Sequence, residues 1–304
     1  MWMLLVLFYG VVKGAREAIK KKALEKNSVI EVLVVYTLLS FIICIPQVKD
    51  AGGLVTAQYL WIALKSFCIF IAWICSFKAI DKLPISMYGV LDLSRVLFAT
   101  SLGVLILGET MSLLHITGLL IVLLGLVLLK FKPSFIKRAE MKEMLESGTA
   151  MEKVRENTHD VNSKTWIYVL LAFTSCILNA VSGTMDKILM RDMNSSQLQF
   201  WYMLFLTLYY VIYVLVTCTK IRFSVFKNGW IWLLAVLFVA ADKALFIANA
   251  DPSSRVTVMT LIKQTGTIVT ILAGKFVFKE KHVGYRLFCA LVIVSGIILG
   301  TFAK

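Results

Sequence analysis

Runs of about twenty apolar residues, separated by short polar connections, recur along the whole chain. A transmembrane helix needs about 20 mostly apolar residues, and ten runs of that kind are present: 2–20, 30–48, 58–80, 84–108, 112–131, 165–188, 197–219, 229–250, 255–278 and 282–302. The pattern predicts an all-α membrane protein with ten transmembrane helices. Lys13, Arg16 and Glu17 interrupt the first run. It lacks a basic leading region and a small-residue cleavage site, so it reads as a retained helix rather than a signal peptide. Only one connection is long. Residues 132–164 are hydrophilic and mixed in charge, with too little apolar surface for a folded unit, and are expected to form a solvated linker with an amphipathic turn or two.

The linker separates two groups of five helices, and the groups resemble each other. A shift of 171 residues brings Trp61 onto Trp232, Phe67 onto Phe238, Ala79 onto Ala250, Gly103 onto Gly274, Glu109 onto Glu280 and Gly125 onto Gly296 without a gap. A shift of 169 brings Gly14 onto Gly183 and Glu17 onto Asp186, and SVIEVLVVYTLL resembles SSQLQFWYMLFL nearby. The chain is thus expected to hold two copies of a five-helix unit, 1–131 and 165–304, joined by the linker. Five is odd, so the copies must cross the bilayer in opposite senses, as two inverted five-helix repeats.

Composition agrees with a membrane solvent. Hydrophobic residues make up 59% of the 304, charged residues only 16%, and the mean hydropathy is +0.83. The net charge of +14 does not point to nucleic acid, because Lys and Arg cluster in the short connections. The expected partners are the lipid bilayer and a small-molecule substrate, with no nucleic acid. All six cysteines lie in apolar runs without CxxC spacing and read as packing residues.

Candidate chemistry lies inside the apolar runs. Asp92 and Arg95 stand mid-span in YGVLDLSRVLFATSLGVLILGE, three apart on one helix face. An ionisable group at that depth costs about 2.5–3.5 kcal/mol on insertion scales, so it normally faces a cavity or a partner. Lys263, at the repeat position of Asp92, is followed by Gln264. Lys13 and Glu17, Asn179 and Asp186, Asp242 and Lys243, and Lys65 complete the set. Five cations (Lys13, Lys65, Arg95, Lys243, Lys263) against four carboxylates (Glu17, Asp92, Asp186, Asp242) favour a zwitterion or an organic anion. Substrate-binding candidates are Asp92, Arg95, Lys263, Gln264, Asp242, Lys243, Trp73, Tyr88 and Asn179; coupling candidates are Asp92, Asp186, Asp242 and Glu17. A bare Asp92–Arg95 pair closing a polar gap between helices is the structural alternative. Glu109 and Glu280 end their helices in short turns and read as carboxylates capping the next helix. The remaining aromatics read as belt and packing residues.

LGE at 107–109 and FKE at 278–280 close the fourth helix of each half, and glycine-rich helices follow them (GLLIVLLGLVLL and CALVIVSGIILG). With the five-plus-five arrangement, these features resemble the drug/metabolite transporter superfamily, in its EamA-type branch. The resemblance implies a carrier with its substrate cavity between the two halves, moving a small polar metabolite. Two departures stand out: the linker is longer than the usual connection, and LDLSRV, which has no proline, stands where LEPV-like sequences are common.

Other classes find less support. His115, His159 and His282 have no metal-ligand spacing, HExxH and GxSxG do not occur, and AGKF at 273–276 lacks the rest of a phosphate loop. No enzyme activity, cofactor or metal is expected, and transport would be driven by a gradient or by exchange. A drug-type exporter of cationic or lipophilic compounds and a structural membrane protein are the competing readings. A channel would show rings of one charge sign. The expected location is the cell membrane, as a multi-pass protein. Helices 5 and 10 carry Gly118, Gly125 and Gly296 among aliphatics and are assigned to scaffolding or a homodimer contact. Odd-numbered connections hold 22 basic residues against 5 at the even connections and termini. The positive-inside rule places both termini outside, whereas the resemblance implies both inside.

Overall fold

A computed structural model describes residues 1–108, 112–130, 160–280 and 283–301. Among these the protein is all helical, without strands. The first half contains α1 (Trp2–Leu24), α2 (Val29–Cys44), α3 (Thr56–Lys82), α4 (Ile85–Asp92), α5 (Arg95–Leu107) and α6 (Leu113–Lys130). The second contains α7 (Asp160–Leu189), α8 (Ser195–Thr217), α9 (Gly229–Ala250), α10 (Val256–Lys263), α11 (Thr265–Phe276) and α12 (Val283–Thr301). Seven spans are long and apolar enough to cross a membrane: 29–50, 56–82, 85–107, 165–189, 195–217, 229–250 and 256–276. Large apolar side chains including Leu60, Trp61, Leu105, Leu113 and Leu215 lie outward and exposed, as lipid contact requires. The protein is an integral, multi-pass membrane protein.

Three expectations about element bounds need correction. The first run does not stop at residue 20, because α1 continues to Leu24 and buries Lys13, Arg16, Glu17 and Lys20. Its charges are the reason it falls outside the seven apolar spans, and Arg16 belongs to the helix rather than to a connection. The long linker loses its last five residues, since α7 starts at Asp160; 132–159 lies outside the described residues.

The third correction concerns the fourth helix of each half, which is broken. Leu93 and Ser94 separate α4 from α5, and Gln264 separates α10 from α11. Tightened turns carry the breaks: the Leu93 N–H donates to Val90 O (3.1 Å), the Ser94 N–H to Leu91 O (3.0 Å) and the Gln264 N–H to Leu261 O (3.0 Å). Such i→i+3 bonds let a helix change course without proline. The 171-residue shift carries α4 onto α10 bound for bound.

The α2 and α8 entries are also built alike. Ser28 and Glu31 form a capping box, and Asn194 and Gln197 form another. In each the cap side chain takes the third residue's N–H and the third side chain takes the cap's own. Across the two halves, α3 packs on α7 as α9 packs on α1, and α5 on α7 as α11 on α1. Lipid gives little hydrophobic drive between helices, so close backbone approach matters more. A Cβ on Gly14 would stand 2.2 Å from Gly266 O, and one on Gly266 the same distance from Gly10 O. Likewise a Cβ on Gly296 would come within 2.6 Å of Gly118 O, and one on Gly125 within 2.3 Å of Ile293. Gly125 and Gly296 therefore sit in the seam between α6 and α12 within one chain.

Candidate functional site

Five ionisable side chains of α1 are brought inward on one face, Tyr9, Lys13, Arg16 and its neighbour Glu17, and Lys20, with the turns spaced three or four residues apart. They meet Lys65, Trp73 and Ser76 of α3, Tyr88 and Arg95 at the first helix break, and Asn179 and Asp186 of α7. Asp242 of α9, Thr260 and Lys263 of α10 and Tyr202 of α8 complete the wall. Together they line a central cavity. The lining comes from the first, third and fourth helices of each half, with Tyr202 added from α8.

The cavity is wired by ion pairs between elements. Asp92 lies between two cations, accepting from Lys13 Nζ and, at 2.7 Å, from Arg95 Nη2. Lys65 stands 3.1 Å from Asp186 and 3.5 Å above the Tyr202 ring centroid. Lys20 pairs with Glu17 at 2.8 Å. Arg16 approaches Asp242 only to 3.7 Å and lies 4.6 Å from the Phe238 ring centroid. Lys263 forms no hydrogen bond or ion pair among the described residues; its Nζ sits 5.6 Å from the Tyr9 ring. Buried charges normally need both a partner and hydrogen bonds, and Lys263 has neither among the described residues. Among the described residues no cluster of His, Cys, Asp and Glu could hold a metal ion.

The sequence-selected residues do not all share this cavity. Arg95, Lys263, Asp242, Trp73, Tyr88, Asn179, Glu17 and Asp186 line it. Asp92 is covered by its two cations and by Cys176, whose thiol reaches Leu91 O at 3.8 Å. Gln264 is 1% exposed and packed inside the second break, with its Oε1 taking a 3.4 Å bond from the Thr267 hydroxyl. Lys243 points away, donating to Gln47 Oε1 (3.0 Å) and Ser196 Oγ (2.7 Å). Neighbouring helix positions diverge by about 100°, so Asp242 inside puts Lys243 outside. The lining also contains Arg16, Lys20 and Tyr9, which the sequence reading omitted from the site. Their spacing from Lys13 and Glu17 was the available signal.

One end of the cavity is closed by contact between the halves. Ser76 Oγ and Tyr88 Oη, 2.7 Å apart, are near that limit, and beyond them Phe77, Ile80, Leu83 and Ile85 are fully buried. At the same end Glu280 accepts from the backbone N–H of Ile85 (2.6 Å) and Ser86 (3.2 Å) and pairs with Arg286 at 3.1 Å. Glu280 thus caps α4 of the other half; the expected cap on the helix that follows it involves residues 281–282, which lie outside the described residues. The matching expectation for Glu109 falls outside the described residues.

Residues 1–131 match the model of the EamA-like transporter family. Over that stretch the chain is similar to EamA-like transporters. That family lies within the drug/metabolite transporter superfamily. No curated protein matches the chain. Twenty-eight chains of solved structures do; one, a crystal structure described only as that of a protein, aligns with a TM-score of 0.69 at 12% identity, over 100% of this chain and 99% of that one. At that identity the likeness shows the fold alone. It extends across the second half of this chain, where the family model does not reach.

Proposed function

We propose that the protein is a secondary carrier of the drug/metabolite transporter type, moving a small zwitterionic or anionic, amino-acid-like metabolite across the cell membrane. The observation that carries this reading is the central cavity, lined by six cations (Lys13, Arg16, Lys20, Lys65, Arg95, Lys263) against three carboxylates (Glu17, Asp186, Asp242). Asp92 adds a fourth carboxylate from behind, and a positive excess remains. Lys263 is the cation with no hydrogen bond or ion pair among the described residues, and with Arg95, whose Nε is buried without a hydrogen bond, it adds to the positive charge that draws the substrate's acidic group into the cavity. A cationic drug would meet repulsion in this cavity.

The transport step is rocking of one five-helix half against the other around this cavity. Reciprocal packing of α3 on α7 and α9 on α1, with the coincidence of α4 and α10, supports reading the halves (1–131 and 165–304) as inverted repeats. The breaks at Leu93–Ser94 and Gln264 sit where such motion needs compliant backbone. Proton coupling falls to Asp186, Asp242 or Glu17, which face the cavity, before Asp92, which two cations already hold. A homodimer through α6 and α12 would use their outward aliphatics, since Gly125 and Gly296 sit in the seam within the chain.

The test has two stages. Melting of the purified protein is followed against amino acids, organic acids and polyamines, since a ligand that binds the folded state raises its stability. Acids that raise the melting point are then loaded into proteoliposomes for counterflow. Carriage of an acid supports the reading; stabilisation by polyamines alone, or counterflow of none of these solutes, sinks it.

A further inference from the structure

Arg16 is unlike the other cavity cations in how little holds it. It is 4% exposed, yet neither Nε nor Nη1 has a hydrogen-bond partner. Nη2 makes one long bond, 3.5 Å to Tyr36 Oη. Its ion pair with Asp242 is 3.7 Å long, well beyond the 2.7–2.9 Å of a charge-assisted hydrogen bond. By comparison Arg95 reaches Asp92 at 2.7 Å. The Phe238 face, 4.6 Å from the guanidinium carbon, fixes the plane of the group. What results is a rigid, planar fork of donors facing the cavity, with a carboxylate close enough to balance its charge but too far to occupy its donors.

We infer that Arg16 is the principal receptor for the substrate's oxyanion, carboxylate or phosphate, and that Asp242 is a displaceable counter-ion which the substrate replaces. The inference rests on the carrier reading and names its deciding contact. A guanidinium bonds an oxyanion in two parallel contacts where an ammonium gives a single point charge. Lys263 then meets the outer part of the same anionic group or a second one. Asp242 has the opposite influence: it competes with the incoming anion for Arg16. A purely structural ion pair between α1 and α9 would behave differently, because loss of either partner would harm the protein in the same direction.

That opposition of sign is the test. The probes are L-alanine, L-glutamate, succinate and inorganic phosphate, with L-alaninamide and succinamide as controls that lack the carboxylate, and the readout is the concentration giving half the maximal melting shift. In the wild-type protein the acids shift the melting point and the amides do not; equal shifts by acid and amide, or no shift by any acid, overturn the inference. Carboxylate and phosphate are told apart by which of them acts. Arg16→Lys keeps the charge and loses the fork, and weakens acid binding about tenfold. Asp242→Asn removes the competitor and tightens acid binding about threefold or more. Weaker binding in both variants makes the pair structural and overturns the inference. Should one variant not remain monodisperse in detergent, the other and the acid–amide comparison still decide. A shift by spermidine in place of the acids overturns it and the acidic-substrate reading together, while counterflow of an acid with these signs absent overturns it alone.

Discussion

Asp92 is the last residue of α4 and Lys263 the last residue of α10, 171 positions further along, so a carboxylate and an ammonium stand at the same turn of two broken helices. Their surroundings differ. Asp92 is held by Lys13 and Arg95, whereas Lys263 has no ion pair among the described residues and lies 5.6 Å from the Tyr9 ring.

Replacement at these two sites is therefore expected to fail in different ways. Asp92→Asn leaves Lys13 and Arg95 buried without their shared carboxylate, and breaking a buried pair costs about 3–5 kcal/mol. The expected result is a lower melting temperature and poor recovery in detergent. Lys263→Gln removes a cation without a hydrogen bond or ion pair among the described residues, so melting is expected to stay near the wild type while counterflow of acids is lost. Full transport by a monodisperse Lys263→Gln variant would remove Lys263 from the site.

Glycine positions allow a sharper comparison, because the repeat aligns Gly14 with Gly183 although their surroundings are opposite. Gly14→Ala would drive a Cβ into the α11 backbone, 2.2 Å from Gly266 O, and overpacking of that kind costs about 1–3 kcal/mol. Gly183→Ala meets nothing within 4 Å and gains the better helix propensity of alanine, about 0.8–1.0 kcal/mol. Melting should fall in the first variant and hold or rise in the second. Equal losses would contradict the crossing of α1 over α11.

The spans and the depth of the polar residues were legible in the sequence because lipid demands long apolar runs and makes each interior charge conspicuous. Arg16 and Lys20 were not, since a basic residue near the end of an apolar run looks the same whether it faces head groups or a cavity. Only the partners, Asp242 and Glu17, tell the two apart. The breaks at Leu93–Ser94 and Gln264 were hidden for a related reason: no proline or glycine marks them, and the i→i+3 turns are a tertiary outcome. Glu280 was legible as a cap, but the identity of the capped helix depends on contact between the halves.

That contact yields a further expectation. Glu280 satisfies two N–H groups at the start of α4 and pairs with Arg286. Glu280→Ala removes the cap, at a cost of about 0.5–2 kcal/mol, and loosens the closed end where Ser76 and Tyr88 meet. With the native cysteines replaced, a cysteine at Ser76 should react with maleimide up to about tenfold faster in the Glu280→Ala background, each 1.4 kcal/mol of local opening being a factor of ten. An unchanged rate would show that the cap does not restrain this end.

The orientation of the protein follows from which end carries its charge. Three contacts place the connections after α1, α3, α8 and α11 at one end: Lys21 to Leu83 O at 2.6 Å, Arg222 to Glu31 at 2.8 Å and Glu280 to the Ile85 N–H at 2.6 Å. At the other end Trp201 bonds Ala51 O at 2.8 Å and Gln197 bonds Gly52 O at 2.6 Å. Burial removes Arg16 and Lys20 from the 22 basic residues assigned to the first end, leaving 20, and removes Lys187 from the 5 at the second, leaving 4. The asymmetry survives, and positive connections stay in the cytoplasm. The expected orientation therefore puts the end closed by Glu280 in the cytoplasm and both termini outside. With the native cysteines replaced, Gly52→Cys and Ser224→Cys place single exposed thiols at opposite ends. In intact cells an impermeant maleimide should label the thiol at position 52 and reach the one at 224 only after permeabilisation. Labelling in the reverse order would turn the protein over and put the capped end outside.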